Sequence, residues 1–168
     1  MGRLARLLKH RLWDESDARR ALPADALQRL QARVAASETR HSGEIRVCVE
    51  ASLPLSYLWR GATARERALA VFGKLRVWDT ECNNGVLIYL LLAEHAIEIV
   101  ADRGLHRRVG ADTWTRLVAE LGAALRASQF EQGLLAAIDA IDALLVEHFA
   151  LVDGEVNPDE LPDAVLLL

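Results

Sequence analysis

An α/β fold, a sheet covered by helices, is the class that the sequence predicts. Three observations predict it. Segments with the two-residue period of strands are interleaved with segments of helical period. The longest apolar run, residues 86–93, has strand length and is apolar on both faces, as a strand inside a helix-covered sheet must be. A chain of 168 residues with 52% hydrophobic content can build one substantial core.

The elements follow in order. Leu4, Leu8 and Leu12 recur every four residues with Leu7 adjoining, an amphipathic helix over 3–12 whose stripe Arg11 interrupts. Pro23 suits a first helical turn, and Ala26, Leu27, Leu30 and Val34 carry a helix to about Ser37. Residues 44–50 alternate strictly: Ile45, Val47 and Val49 share one face, and Arg46, Cys48 and Glu50 share the other, which is expected to be partly solvated. Thr63 and Glu66 have the spacing of a capping box, opening a helix expected to bury Ala68, Leu69, Phe72 and Leu75. Residues 85–92 and 97–101 form a hairpin turning at Glu94 and His95, followed by a loop over 104–110. Two long helices come next, one aligning Trp114, Leu117, Val118, Leu121 and Leu125, the other Leu134, Ile138, Ile141 and Leu145, with His148 beside the stripe. The tail beyond Phe149 has Pro158, Pro162 and several acids and reads as extended, its last leucines pinned to the body. The organisation is therefore a helical extension over 1–40, an α/β domain over 41–149 and an acidic tail over 150–168.

Composition narrows the function classes. Nothing reaches membrane-span length, and the basic start is followed by no apolar core of a secretory leader, so a cytoplasmic protein is expected. Cys48 and Cys82 are the only cysteines and form no CxxC pair, which excludes a disulfide framework and a cysteine zinc site. The net charge of −4 hides a basic start (Arg3, Arg6, Lys9 and Arg11) and an acidic end. The basic helix over 1–13 suits a peripheral membrane contact or a protein partner. No basic run interleaved with aromatics occurs, so nucleic acid is not an expected partner.

Candidate chemistry gathers where the hairpin's far ends meet. The polar loop over 79–85 precedes one strand and residues 102–104 follow the other, so Asp79, Asn83, Asn84 and Asp102 are expected at one sheet edge. Carboxylates and amide carbonyls on turns are the hard oxygen ligands that Ca2+ or Mg2+ takes. A plain structural role competes for the same residues: Asp79 as a turn cap, Asn-Gly as a source of positive φ, and Asp102 as partner of Arg103 or a helix start. Arg103, Arg107 and Arg108 are placed to steer a phosphate. Phosphoryl transfer would still need a nucleophile or a metal-activated water, and no DxDxT, CxxxxxR or RHG signature occurs. Cys82 sits between Glu81 and Asn83, where a carboxylate disfavours the thiolate. The five histidines are dispersed, and only His106, four residues after Asp102, lies near the rim. Trp78 should anchor the loop; Trp59 and Trp114 are cleft or core residues. No organic cofactor motif is present.

The ordered set of residues 42–50 (SGEIRVCVE), 77–80 (VWDT), 84–89 (NGVLIY) and 98–104 (EIVADRG) resembles the TPM domain, named for thylakoid-lumen, photosystem II repair and nematode receptor-modulating proteins. The resemblance runs from about residue 41 to 149 and is to the stand-alone soluble bacterial branch. It implies an α/β/α sandwich, an acid-phosphatase-like activity as seen in some members, and divalent-metal binding as seen in others. Metal-binding members use acids beside the loop before Asn-Gly, here Asp79 or Glu81. Many members have a Gly-x-Gly turn after the second hairpin strand, where this chain has Asp102-Arg103-Gly104, and many carry a leader and an anchor that are not seen here. With no nucleophile–base pair in view, a non-catalytic binding module is the expected function, with a metal-dependent phosphoester hydrolase as the alternative.

Overall fold

A computed structural model describes residues 2–152, 155–158 and 160–168. Asp153 and Asp159 of the acidic tail lie outside the described residues. In chain order the elements are α1 (Arg3–Arg11), α2 (Glu15–Ala21), α3 (Ala24–Glu38), β1 (Ile45–Glu50), α4 (Leu55–Trp59), α5 (Ala64–Lys74), β2 (Val86–Leu91), β3 (Ala96–Ala101), α6 (Arg103–His106), α7 (Ala111–Arg126), α8 (Phe130–Phe149) and β4 (Leu166–Leu167). The sheet order is β3-β2-β1-β4. β1 runs parallel to β2 and to β4, and β2 pairs antiparallel with β3. The mixed sheet with helices on both faces is the α/β sandwich expected.

Strand alternation sorts the side chains into two cores. Ile45, Val47 and Val49 of β1 join Val86, Ile88 and Leu90 of β2 beneath α2, α3, α7 and α8. Cys48, Leu87, Tyr89 and Leu91 face the other way, against Leu58 of α4 and Ala64, Ala68 and Val71 of α5. β2 is buried along its whole length, which explains its unbroken apolar sequence. The β2–β3 register pairs Val86 with Ala101 and Leu91 with Ala96, and the reversal runs through a 3-10 turn, Leu92–Glu94, and a left-handed His95.

Four readings need correction. The second face of β1 is not solvated: all six residues are buried, because α4, α5 and the returning tail cover it. Burying Glu50 is feasible because Arg67 of α5 donates to both its carboxylate oxygens and the Tyr89 hydroxyl donates at 2.5 Å. Leu69 is half exposed, and α5 instead buries Ala64, Arg67, Ala68 and Val71. The loop over 104–110 contains the one-turn helix α6. The helix α2, set by the Asp14–Asp17 capping box, was not expected and contributes Ala18 to the core.

The Thr63–Glu66 capping box is present, with both reciprocal bonds formed. The terminal leucines do dock: Leu166 and Leu167 pair with Cys48 and Val49 as β4. Glu44 holds the approach to that strand, accepting from Asn157 Nδ2 and from the amides of Glu160 and Leu161. Among the described residues no helix is long and apolar enough to cross a membrane.

Candidate functional site

The hairpin brings the two polar loops together. The Asp102 amide donates to Gly85 O at 2.8 Å, and the Gly104 amide donates to Asn83 O at 2.8 Å, so the 79–85 and 102–104 segments meet beyond the amino ends of β1 and β2. Two glycines make this contact sterically possible. A Cβ on Gly85 would lie 1.9 Å from Val77 O, and one on Gly104 would lie 2.4 Å from Asn83 O. The positive φ of the turn falls on Asn83 (52°), not on the Asn-Gly pair that follows it.

Each expected residue has a definite place. Asn84 is fully buried; among the described residues its Oδ1 accepts no hydrogen bond, while Nδ2 donates to Ser42 Oγ at 3.2 Å and its backbone N–H donates to Thr80 Oγ1 at 3.0 Å. Asp102 is buried and caps α6, with Oδ1 accepting from the Arg103 amide at 2.7 Å and Oδ2 without a hydrogen-bond partner among the described residues. Asn83 is half-buried on the turn. Asp79 is exposed and held by Arg76 at 2.5 Å. Trp78 anchors this loop as expected, donating from Nε1 to Gly73 O at 3.3 Å.

The arginines divide. Arg108 donates to His148 O and lies over the Phe149 ring, which makes it a packing residue. Arg103 and Arg107 are exposed; Arg103 lies 3.9 Å from Asp102 Oδ1, and Arg107 makes no side-chain bond among the described residues. His106 and Cys82 are exposed. Cys48 is buried in the second core, where desolvation pushes its thiol up to about 12. Of the tryptophans, Trp59 and Trp78 are exposed and Trp114 is half-buried.

The donor chemistry of the rim suits a hard cation. A buried carboxylate oxygen and a buried amide oxygen, both without a hydrogen-bond partner among the described residues, are the donor types such an ion takes. The set is sparse in charge. Among the described residues no three His, Cys, Asp or Glu side chains are disposed to hold a metal, and Asp79 would have to leave Arg76 to contribute.

Sequence reasoning missed the other polar sites because their members are scattered along the chain. Asp142 of α8 is buried and accepts from Arg33 and Arg40, with His41 Nε2 at 3.5 Å from its other oxygen. Burial lowers His41 to about 4, and its Nδ1 accepts from the Gly43 amide, so the ring is neutral with its proton on the Nε2 side. Under the tail, Glu38 accepts from the Ile45 amide at 2.9 Å, close to Asp163, Glu44 and Arg46. Arg46 is buried, with Nε and Nη1 making no hydrogen bond among the described residues. The only signal available for these sites was the presence of charge inside segments of core periodicity.

Comparison with known proteins agrees with the fold. The NMR structure of BA42 protein from the psychrophilic bacterium Bizionia argentinensis superposes with a TM-score of 0.76 at 26% identity, covering 88% of this chain and 95% of that one. No curated protein matches the chain. The family model described as the TPM domain matches residues 16–144, and so spans α2 and α3 together with strands β1 to β3. A match over most of the chain, together with the sandwich seen here, establishes that the protein belongs to the TPM-domain family.

Proposed function

We propose that this protein is a non-catalytic binding module whose sheet-end rim takes a divalent cation, Ca2+ or Mg2+, through Asp102 and Asn84, with Asn83 and Asp79 nearby. The observation that carries this reading is the pair of buried oxygens, Asp102 Oδ2 and Asn84 Oδ1, that no hydrogen bond from the described residues satisfies. A hydrolase needs an activated nucleophile or water and a base within reach. The rim offers an exposed thiol, a carboxylate engaged by Arg76 and two solvent-facing arginines, Arg103 and Arg107.

Titration of the protein with CaCl2 and MgCl2, followed by calorimetry and amide shifts, tests the proposal. Saturable binding with shifts confined to 79–85 and 102–104, and lost in Asp102→Asn, is expected; the amide keeps the α6 cap but removes the charge. Absence of any saturable shift at millimolar cation would end it. Phosphoester turnover that depends on magnesium and is abolished by both Asp79→Ala and Asp102→Ala would establish the hydrolase instead.

A second reading concerns the start of the chain. Leu4, Leu8 and Leu12 are 78%, 64% and 81% exposed, and Leu55 and Trp59 of the adjoining α4 are 67% and 73% exposed. Arg3 lies beside this face and Arg11 within it, and neither makes an ion pair among the described residues. An apolar face edged by free cations suits peripheral docking on an anionic membrane. Co-sedimentation with phosphatidylglycerol vesicles, lost on Leu4→Glu/Leu8→Glu, is the expected result; equal sedimentation of the variant would refute it.

A further inference from the structure

Beyond the carboxyl end of β2, opposite the polar rim, lies an apolar cleft of about 370 Å3 between α7, the edge strand β3 and the start of α8. That volume falls within the range of small-molecule sites, roughly 300–1,000 Å3. Trp13 and Phe130, both half-buried, stand among its walls. Leu92, Ile97, Val118 and Leu125 add aliphatic surface. Trp13 is fixed edge-on against His95, with ring centroids 6.1 Å apart.

Two features give the cleft a chemical preference. Gly122 leaves it open in the middle of α7: a Cβ there would point at Ile97 Cδ1 (3.5 Å) and Arg126 Nη1 (3.3 Å), so any longer side chain would project into the space. Arg126 reaches along the same wall, one turn on from Gly122, and makes no hydrogen bond or ion pair among the described residues. All four arginines of α2 and α3, Arg19, Arg20, Arg29 and Arg33, have carboxylate partners. An unpaired guanidinium beside an apolar cavity is complementary to an anion that carries a hydrophobic body.

We infer that the cleft between Trp13, Phe130 and Gly122 binds a single-chain amphiphilic carboxylate, its apolar body in the cavity and its carboxylate on Arg126. This inference is independent of the cation reading, because no rim residue contributes to the cleft. His95 lies at the same mouth and is exposed, so it is available as a second donor to the head group.

Calorimetric and amide-shift titration with decanoate tests the inference, with decyl maltoside as the uncharged control, both used below their micellar concentrations. One saturable site is expected for decanoate, with shifts centred on Ile97, Gly122 and Phe130. Arg126→Gln, an exposed position away from the core, should weaken decanoate at least tenfold and leave the maltoside unchanged. Gly122→Leu should abolish binding by filling the cavity; should that variant misfold, the Arg126→Gln comparison still decides. No saturation with the native chain, or equal affinity for decanoate in Arg126→Gln, overturns the proposal. Binding of the maltoside as tightly as decanoate overturns it as well, since the site would then be merely greasy.

Discussion

Glu38→Gln should stabilise this protein, and increasingly so as pH rises. Glu38 ends α3 beneath the returning tail, where desolvation pushes its carboxyl up to about 9 from an ordinary 4.5; the bond from the Ile45 amide opposes this shift, and a hydrogen bond shared with Asp163 and the charge of Glu44 add to it. A carboxyl raised in the folded state binds its proton more tightly there than in the unfolded chain. The stability it contributes is complete below pH 4.5 and is lost as pH rises toward 9. At 1.36 kcal/mol per decade of proton affinity, the cost at neutral pH is at most about 3 kcal/mol. Glutamine reproduces the protonated acid: its carbonyl can accept from Ile45 and its amide can donate to Asp163, with nothing to ionise. Urea denaturation followed by tryptophan fluorescence at pH 6, 7 and 8 measures the difference between the two proteins. Effects of other titrating groups are common to both and cancel. The advantage of the variant should grow by about 1.4 kcal/mol per pH unit over that interval. A difference that stays flat from pH 6 to 8 would refute the buried, protonated Glu38 and with it the sealed tail.

Three further outcomes follow from the same packing. Arg67→Met leaves the Glu50 carboxylate buried with only the Tyr89 hydroxyl, and should cost about 3–5 kcal/mol by urea denaturation, partly recovered in the Glu50→Gln/Arg67→Met double variant. Gly104→Ala drives a Cβ to within 2.4 Å of Asn83 O and 2.5 Å of Cys82 O; thermal unfolding should show a loss of about 1–3 kcal/mol, with amide shifts at the rim rather than in the cleft. His41 is held near 4, below the usual 6.5, so the stability it contributes is present above pH 6.5 and is lost as pH falls through 6.5 toward 4; His41→Gln should flatten the acid limb of the stability profile by roughly 3 kcal/mol.

The apolar architecture was legible wherever periodicity and burial coincide. Val86–Leu91 announces a strand buried on both faces, and the Thr63–Glu66 box marks a helix start whatever lies around it. The apolar run of the last leucines hinted at docking without deciding it; their pairing with Cys48 and Val49 depends on an open edge of β1 that the sequence does not display. Legibility failed where charge is buried. Arg46 and Glu50 alternate with valines as solvent-facing residues do; only the distant Arg67 and Tyr89 make Glu50 tolerable inside, and nothing local says so. For α2 the reason is length, since seven residues cannot display a helical period and the Asp14–Asp17 box is its main mark. The rim was half legible. Strand pairing brought Asn83, Asn84 and Asp102 to one edge, but the engagement of Asp79 by Arg76 depends on a left-handed turn at Arg76 that no sequence pattern advertises.

The proposed cation rim and the proposed carboxylate cleft occupy opposite ends of the six-residue strand β2, about 20 Å apart at the rise of an extended strand. Through solvent, charges at that distance are screened, since the Debye length is about 8 Å at physiological ionic strength. Coupling between them would have to travel through the sheet. Every residue of β2 is buried, and close-packed interiors shift between discrete arrangements rather than bending continuously. No hinge interrupts β2, and the register with β1 and β3 is continuous over all six residues. Calcium should therefore change decanoate affinity by less than a factor of two, and decanoate should change calcium affinity by the same small factor, as linkage requires. A reciprocal effect of tenfold or more in paired titrations would mean that β2 slides or that α7 moves as a lever between the two ends, and the rigid-sheet picture would have to be abandoned.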